Sequence, residues 1–202
     1  MDRMRAMSGP SMLDKTDVPA GVPYPLGHGE VGITTRDGQM VRMRHIVQGD
    51  AKLLVDLFHN LSERTKWLRF FSPVGIPAEQ LWDEATRLSE IDPRVQAALI
   101  ATIEDNEVER AVAVARLIRN DRLADTAEVA IVVRDDFQRH GIGRIIFDLL
   151  VQVALVQDIK RLYAITLPEN FGMQRLARGL GLPVTVRVQD GDMTITIHLQ
   201  EQ

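Results

Sequence analysis

No cysteine occurs anywhere in the 202 residues. That excludes a disulfide framework, a zinc–thiolate site and a cysteine nucleophile, and it is compatible with a cytoplasmic setting. No charge of one sign dominates: 24 Lys and Arg stand against 28 Asp and Glu, a formal net charge of −4. Nucleic-acid binding normally leaves a basic balance or a basic stripe, and the chain has neither. A polyanionic ligand must therefore be held locally, by a few placed groups. Long hydrophobic runs are missing too. Met1 to Lys15 contain no apolar core of signal-peptide length, and no later stretch is long enough to span a membrane. His45, His59 and His198 show no metal-ligand spacing, and Asp135-Asp136 stand alone at a turn, so no metal is expected. What is present is a 45% hydrophobic fraction, enough for one well-packed core.

Residues 1–33 read as a flexible N-terminal segment. Gly9, Pro10, Pro19, Gly21, Pro23, Pro25, Gly27 and Gly29 oppose both helix and strand. A segment that docks on the domain or on a partner is the alternative. The folded domain is expected over 34–202. Arg36-Asp37-Gly38 predicts a turn into a strand at Gln39–His45. Asp50 is placed to cap a helix carrying Leu53, Leu54, Leu57, Phe58 and Leu61 at helical spacing. Ser62 starts a second helix that Pro73 ends, and a third fits Pro77 to Ser89. Strands follow at Ala97–Ile103, Ala111–Leu117 and Thr126–Val133, the first two joined by a turn at Asp105-Asn106. From Gly141 to Val156, Ile142, Ile145, Ile146, Leu149, Leu150, Val153 and Ala154 trace an unbroken helical stripe. A strand at Leu162–Leu167, a helix at Asn170–Gly179 and two strands around Asp190-Gly191 complete an α/β pattern. The sheet is expected to be mixed, largely antiparallel and flanked by helices.

The chemistry concentrates at Gln138-Arg-His-Gly141-Ile-Gly143-Arg144, where a strand turns into the strong helix. The first turn of a helix leaves amide N–H groups without internal partners, and the helix dipole adds partial positive charge. Phosphate suits that end on both counts. Gly141 and Gly143 lack Cβ atoms, so a diphosphate can approach the main chain, and Arg139 and Arg144 add charge at the rim. A third glycine of the dinucleotide-binding type is absent, because Ile146 takes its place. No Lys-Ser/Thr follows to make a nucleotide phosphate loop. A glycine turn made only for close strand–helix packing is the plainer alternative.

The pattern Gln138-x-x-Gly141-x-Gly143 resembles the acetyl-CoA signature of the GNAT N-acetyltransferases, and the order of elements agrees from Gln39 to the C-terminus. The resemblance implies acetyl-CoA as co-substrate, no metal, and a sheet splayed at the cofactor site. It implies that Ile131, Val132 and Val133 offer main-chain groups to the pantetheine arm. It also implies that Gln138, Arg139, His140, Gly141, Ile142, Gly143 and Arg144 hold the phosphates. Asn170 matches an Asn that contacts the cofactor arm, while serving equally well as a helix N-cap. A Tyr that many members carry seven residues after that Asn is replaced here by Ala177, which removes one general-acid candidate. Tyr163 lies too early on its strand to be assigned that role.

Within the family, Leu61 to Phe71 and the helix from Asn170 to Gly181 are similar to the bacterial Pat-type protein lysine acetyltransferases. Trp67 stands where an aromatic is expected there, and Phe70 and Phe71 read more simply as core. Those enzymes use a strand Glu in A-E-x-A as general base, and Ala127-Glu128-Val129-Ala130 matches it. A lysine ammonium, with a pKa of about 10.4, must lose a proton before it attacks a thioester, and a nearby carboxylate can accept it. Glu128 shares its strand face with Ala130 and Val132; a solvated edge position is its bland alternative.

Three functions follow as expectations. The first is acetyl transfer to a protein lysine, the second acetyl transfer to a small-molecule amine, and the third a non-catalytic acyl-CoA sensor. Neither nucleic acid nor membrane is an expected partner. An acidic groove is expected beside Glu128, with Glu63, Glu79, Asp83 and Glu84 as candidates. Pat-type enzymes commonly carry a regulatory region, and none fits ahead of Gln39.

Overall fold

The computed structural model describes residues 29–35, 37–71 and 76–199. Its elements run β1 (Val31–Thr34), β2 (Met40–His45), α1 (Ala51–His59), α2 (Glu63–Phe70), α3 (Leu81–Ser89), β3 (Gln96–Asp105), β4 (Val108–Arg119) and β5 (Thr126–Val133). They continue with α4 (Ile142–Val156), β6 (Arg161–Thr166), α5 (Phe171–Gly179), β7 (Val184–Gln189) and β8 (Asp192–His198). Eight strands form one open sheet in the order β1-β2-β3-β4-β5-β6-β8-β7. Among the described residues only β5 and β6 are parallel, because α4 carries the chain across between them.

The sheet is covered on both faces, which explains the near-continuous apolar run of β3. Leu99, Ala101 and Ile103 point toward α4, where Ile146, Phe147 and Leu150 meet them. Ala98 and Ile100 point the other way, toward Leu53 and Leu57 of α1. Each such buried Leu, Ile or Phe contributes roughly 1.5–3 kcal/mol of transfer free energy. The same alternation runs through β5. Ala127 and Val129 belong to the α4 side, so Glu128, Ala130 and Val132 face the α1–α3 side.

Several expectations shift locally. Residues 1–28 of the N-terminal segment lie outside the described residues, but Val31–Thr34 pairs with β2, so the boundary at 33 falls inside a strand. Asp50 is the N-terminal flank of α1 but does not cap it. Its carboxylate instead accepts from the Val47 N–H at 2.8 Å and from both terminal nitrogens of Arg44 at 2.7 and 2.9 Å. Ser62 does cap α2, its Oγ accepting from the Thr65 N–H at 3.1 Å. That helix ends at Phe71, whose φ of 57° is left-handed; Pro73, the expected stop, lies outside the described residues. The third helix begins only at Leu81, after a turn that follows Pro77. Asn106 and Glu107, with φ of 50° and 65°, make the first hairpin turn one residue later than expected. The second is formed by Asp190 and Gly191 as expected, with φ of 54° and 91°.

Candidate active site

The loop between β5 and α4 is shaped by backbone geometry. Arg139 and Gly141 take φ of 67° and 89°, and Gly141 opens α4 with no side-chain cap. Arg144 donates its N–H to the Gly141 carbonyl at 3.1 Å, so the Ile142 and Gly143 amides precede the first intrahelical bond. They point out of the helix start, where an anion is favoured. A Cβ on Gly143 would sit 3.3 Å from Val133 Cγ2 and 3.6 Å from Leu176, so this glycine also lets α4 close on β5 and α5. The packing reading thus applies to Gly143, whereas a Cβ on Gly141 would meet nothing within 4 Å and its φ of 89° is what calls for glycine.

A groove of about 610 Å³ opens in front of that helix start. Ile131, Val132, Val133, Gln138, Arg139, Gly141, Gly143, Arg144 and Asn170 line it. Two expected members do not bring their side chains. The Ile142 side chain is fully buried in the core, and His140 turns its Nε2 toward Asp37 at 3.7 Å, so only their main-chain groups remain for a ligand. Arg144 is already engaged by Asp148 at 2.7 Å and by the Gly179 carbonyl. Asn170 caps α5, accepting from the Met173 N–H at 3.0 Å and donating to Thr166 Oγ1 at 2.8 Å. Gln138 donates to the Val133 carbonyl at 3.1 Å.

The parallel pairing of β5 and β6 has its last rung at Glu128 and Tyr163. Beyond it β5 runs on to Val133, bonded on one edge to β4, while β6 runs on to Thr166, bonded to β8. The two strands part there and leave the β5 main chain open on its β6 side, a ready edge for an extended amide-bearing arm. Glu128 sits at the apex of this gap, half-buried. Tyr163 Oη donates to Glu128 Oε2 across a long 3.5 Å, and Asn120 Nδ2 donates to Tyr163 Oη at 3.3 Å. Asn120 in turn accepts from the Arg122 and Leu123 N–H groups at 2.9 and 3.1 Å, which anchors the series in a turn.

The Acetyltransferase (GNAT) family matches residues 62–182. The chain belongs to this family. It is an acetyl-CoA-dependent N-acetyltransferase. Acetyltransferase Pat of Mycolicibacterium smegmatis is 28% identical over 151 residues, covering 75% of this chain and 44% of that protein. The chain thus spans less than half of that relative. Acetyltransferase PA5475 of Pseudomonas aeruginosa is 26% identical over 162 residues, covering 80% of this chain and 84% of that protein. Among solved structures, the GNAT domain of S. lividans PAT superposes with a TM-score of 0.73 at 28% identity, covering 87% of this chain and 99% of that domain.

For this GNAT enzyme the groove fits its co-substrate. It combines a helix start with free amides, a glycine where a Cβ would intrude, and an open strand edge leading to Glu128. On the other side of β5, a second space of about 70 Å³ lies under α1–α3. Its walls are mostly apolar, but Arg69 and Arg116 enter it, and Arg69 and Val132 line the groove as well. The two sides are fastened by Asp135. Its carboxylate accepts from the Ser62 N–H at 2.8 Å, Ser62 Oγ at 2.8 Å and Thr65 Oγ1 at 2.7 Å. Partial burial opposes that charge, but these three bonds outweigh it and hold the carboxyl below its ordinary value.

The aromatic residues of α2 divide. Phe70 packs on the α1 core cluster, its ring centroid 5.7 Å from that of Phe58, whereas Trp67 and Phe71 are 39% and 40% exposed and do not act as core. The expected acidic groove is not what the helices present to the sheet. Glu84 bonds Arg87 at 2.5 Å, and Glu63 and Glu79 are exposed. The sequence pointed to neither Arg69 nor Arg116, and Tyr163 was weighed only as a general acid, not as a partner of Glu128. That partnership depends on a parallel register between strands 35 residues apart, and the two arginines look like ordinary surface charge until the fold covers them.

Proposed function

We propose that this enzyme acetylates the ε-amino group of lysine in proteins, with Glu128 as general base and the β5–α4 loop as the cofactor cradle. The observation that carries the reading is the position of Glu128 at the last rung before β5 and β6 part. A pantetheine arm on the open edge of Ile131, Val132 and Val133 would bring the thioester toward that apex. The Gly141, Ile142 and Gly143 amides, with Gln138, Arg139, His140 and Arg144 around them, would receive the phosphates, and Asn170 would flank the arm. Glu128 accepts a proton from the ammonium, directly or through water. The freed lone pair forms the new C–N bond to the thioester carbonyl carbon, the C–S bond breaks, and the nitrogen's second proton leaves to solvent as the thiolate takes one up. Tyr163 acts as a positioning residue for Glu128. The names and likeness of the Pat relatives, and the Ala127-Glu128-Val129-Ala130 match, support the lysine acceptor, and the lack of cysteine suits a cytoplasmic setting.

A second reading, a small-molecule amine as acceptor, is favoured by one feature: the space beside Ala130 and Val132 is small, at about 70 Å³. The two readings separate on acceptor size and salt. With a folded acceptor protein, recognition by surface charge would make kcat/KM fall as ionic strength rises, because exposed charges are screened over about 10 Å at 0.1 M. A strong preference for free amines, insensitive to salt, would remove the protein-lysine reading in favour of the second.

A further inference from the structure

Glu128 shares its face of the sheet with an arginine that, among the described residues, has no carboxylate bonded to it. Arg116 stands on β4 opposite Ala130 and is only 6% exposed. It donates to Gln96 Oε1 at 2.9 Å and to the Leu88 carbonyl, both neutral acceptors. Arg69, half-buried on α2, enters the same chamber and lies 5.1 Å from the Phe70 ring centroid. Among the described residues neither guanidinium has a carboxylate bonded to it, and Glu84, the nearby acid, is taken by Arg87.

Two cations in a mostly apolar chamber are costly for a fold to keep. Each loses hydration, and each repels the other. Burial, with Arg69 and Arg87 close by, holds the Arg116 guanidinium down at about 10. A structural tether between β4 and α3 could be made by a neutral donor at less cost. An anion placed between the two arginines would remove the repulsion and use the unfilled donors of two planar forks. The charge of Glu128 acts on Arg69, and that of Arg69 acts on Arg116. The face thus offers an anion to an ammonium and two guanidinium groups to a carboxylate.

We propose that Arg69 and Arg116 form a carboxylate subsite of the acceptor site, so that the acetylated amine belongs to a molecule bearing a carboxylate a few bonds from its nitrogen. The carboxylate has two sources of the same chemistry: a free amino acid, or an acidic side chain beside the target lysine of a protein. The inference rests on Glu128 being the group that receives the amine.

The test compares matched acceptors at saturating acetyl-CoA: β-alanine against β-alaninamide, lysine against 1,5-diaminopentane, and a lysine peptide with an adjacent Glu against the same peptide with Gln. Binding of each to the CoA-loaded protein is measured by calorimetry alongside turnover, so an acceptor that is bound but not acetylated still reports. In at least one set the carboxylate member should be favoured by about 10- to 100-fold, the size of losing a charged hydrogen bond, and the set identifies the source. In Arg69→Gln that preference should shrink to a few-fold; Arg116→Lys, which keeps the charge of the buried site, should retain part of it. Equal binding and turnover of both members in every set would overturn the proposal, as would a preference that survives intact in Arg69→Gln and in Arg116→Lys. Glu128→Gln separates proton transfer from carboxylate recognition. If it turns over normally, the general-base reading falls while the carboxylate preference in binding still stands or falls by itself.

Discussion

In the proposed division of labour, the two sides of β5 recognise their ligands by different means. On the α4 side the work is done by main chain: uncapped amides, positive φ at Arg139 and Gly141, and an open strand edge. On the α1–α3 side it is done by side chains brought from separate elements: Glu128 from β5, Tyr163 from β6, Arg116 from β4 and Arg69 from α2. Main-chain recognition constrains spacing, since glycine must stand where a Cβ would intrude or where φ is positive. Side-chain recognition from distant elements leaves no spacing to read. One half of the site therefore announces itself within a few residues, and of the other half only Glu128, in Ala127-Glu128-Val129-Ala130, does so.

The largest expected effect on this contrast is Gly143→Val. Its side chain would collide with Val133 and Leu176 and stand in the path of the diphosphate, so acetyl-CoA affinity should fall at least tenfold, about 1.4 kcal/mol. Overpacking also costs typically ~1–3 kcal/mol of stability, so a thermal melt belongs beside the titration. A variant that folds and binds as the wild type does would mean that main-chain approach is not what the glycine provides.

Tyr163→Phe comes next. It removes a long bond to Glu128, so kcat should drop by roughly three- to tenfold with acetyl-CoA affinity unchanged. An equal loss of cofactor affinity would make Tyr163 part of the cradle rather than of the catalytic side.

Asp135→Asn tests the clasp between the two sides. The folded-state pKa of Asp135 lies below its ordinary value, so the ionised carboxylate adds stability above the unfolded pKa of about 3.8 and loses that contribution as pH falls through the folded value. Wild type should exceed the variant in chemical denaturation at pH 7, and the gap should close toward pH 3. A gap that stays constant with pH would mean that the charge plays no part.

Arg144→Ala should matter least for affinity, a few-fold at most. Its guanidinium is already bonded to Asp148 and Gly179 and contributes mainly diffuse positive potential at the rim. Its loss should show more in how steeply CoA binding weakens with salt than in affinity at one ionic strength.

The same contrast explains what was legible in the sequence. The stripe from Ile142 to Ala154 fixed α4, and Ser62 and Asp190-Gly191 marked their cap and turn by local chemistry. Asp50 looked like a cap because its type suits that role, but Arg44 and the Val47 N–H compete for its carboxylate, and sequence carries no sign of that competition. β1 was hidden by its four-residue length after a Pro- and Gly-rich stretch. Ala127-Glu128-Val129-Ala130 pointed to a base, while its partner Tyr163 was passed over, because only the parallel register brings the two together.

If cofactor binding and proton transfer are divided between the two sides of β5, a change on one side should leave the other side's task intact. Equilibrium titration of acetyl-CoA into wild type, Glu128→Gln and Gly143→Val, with single-turnover acetyl transfer measured on the same samples, tests that division most directly. With the tasks so divided, Glu128→Gln should bind acetyl-CoA as tightly as wild type yet transfer ~10²–10⁴-fold more slowly, and Gly143→Val should lose affinity first. Glu128→Gln with full transfer at neutral pH, or with the larger loss of acetyl-CoA affinity, would contradict that division.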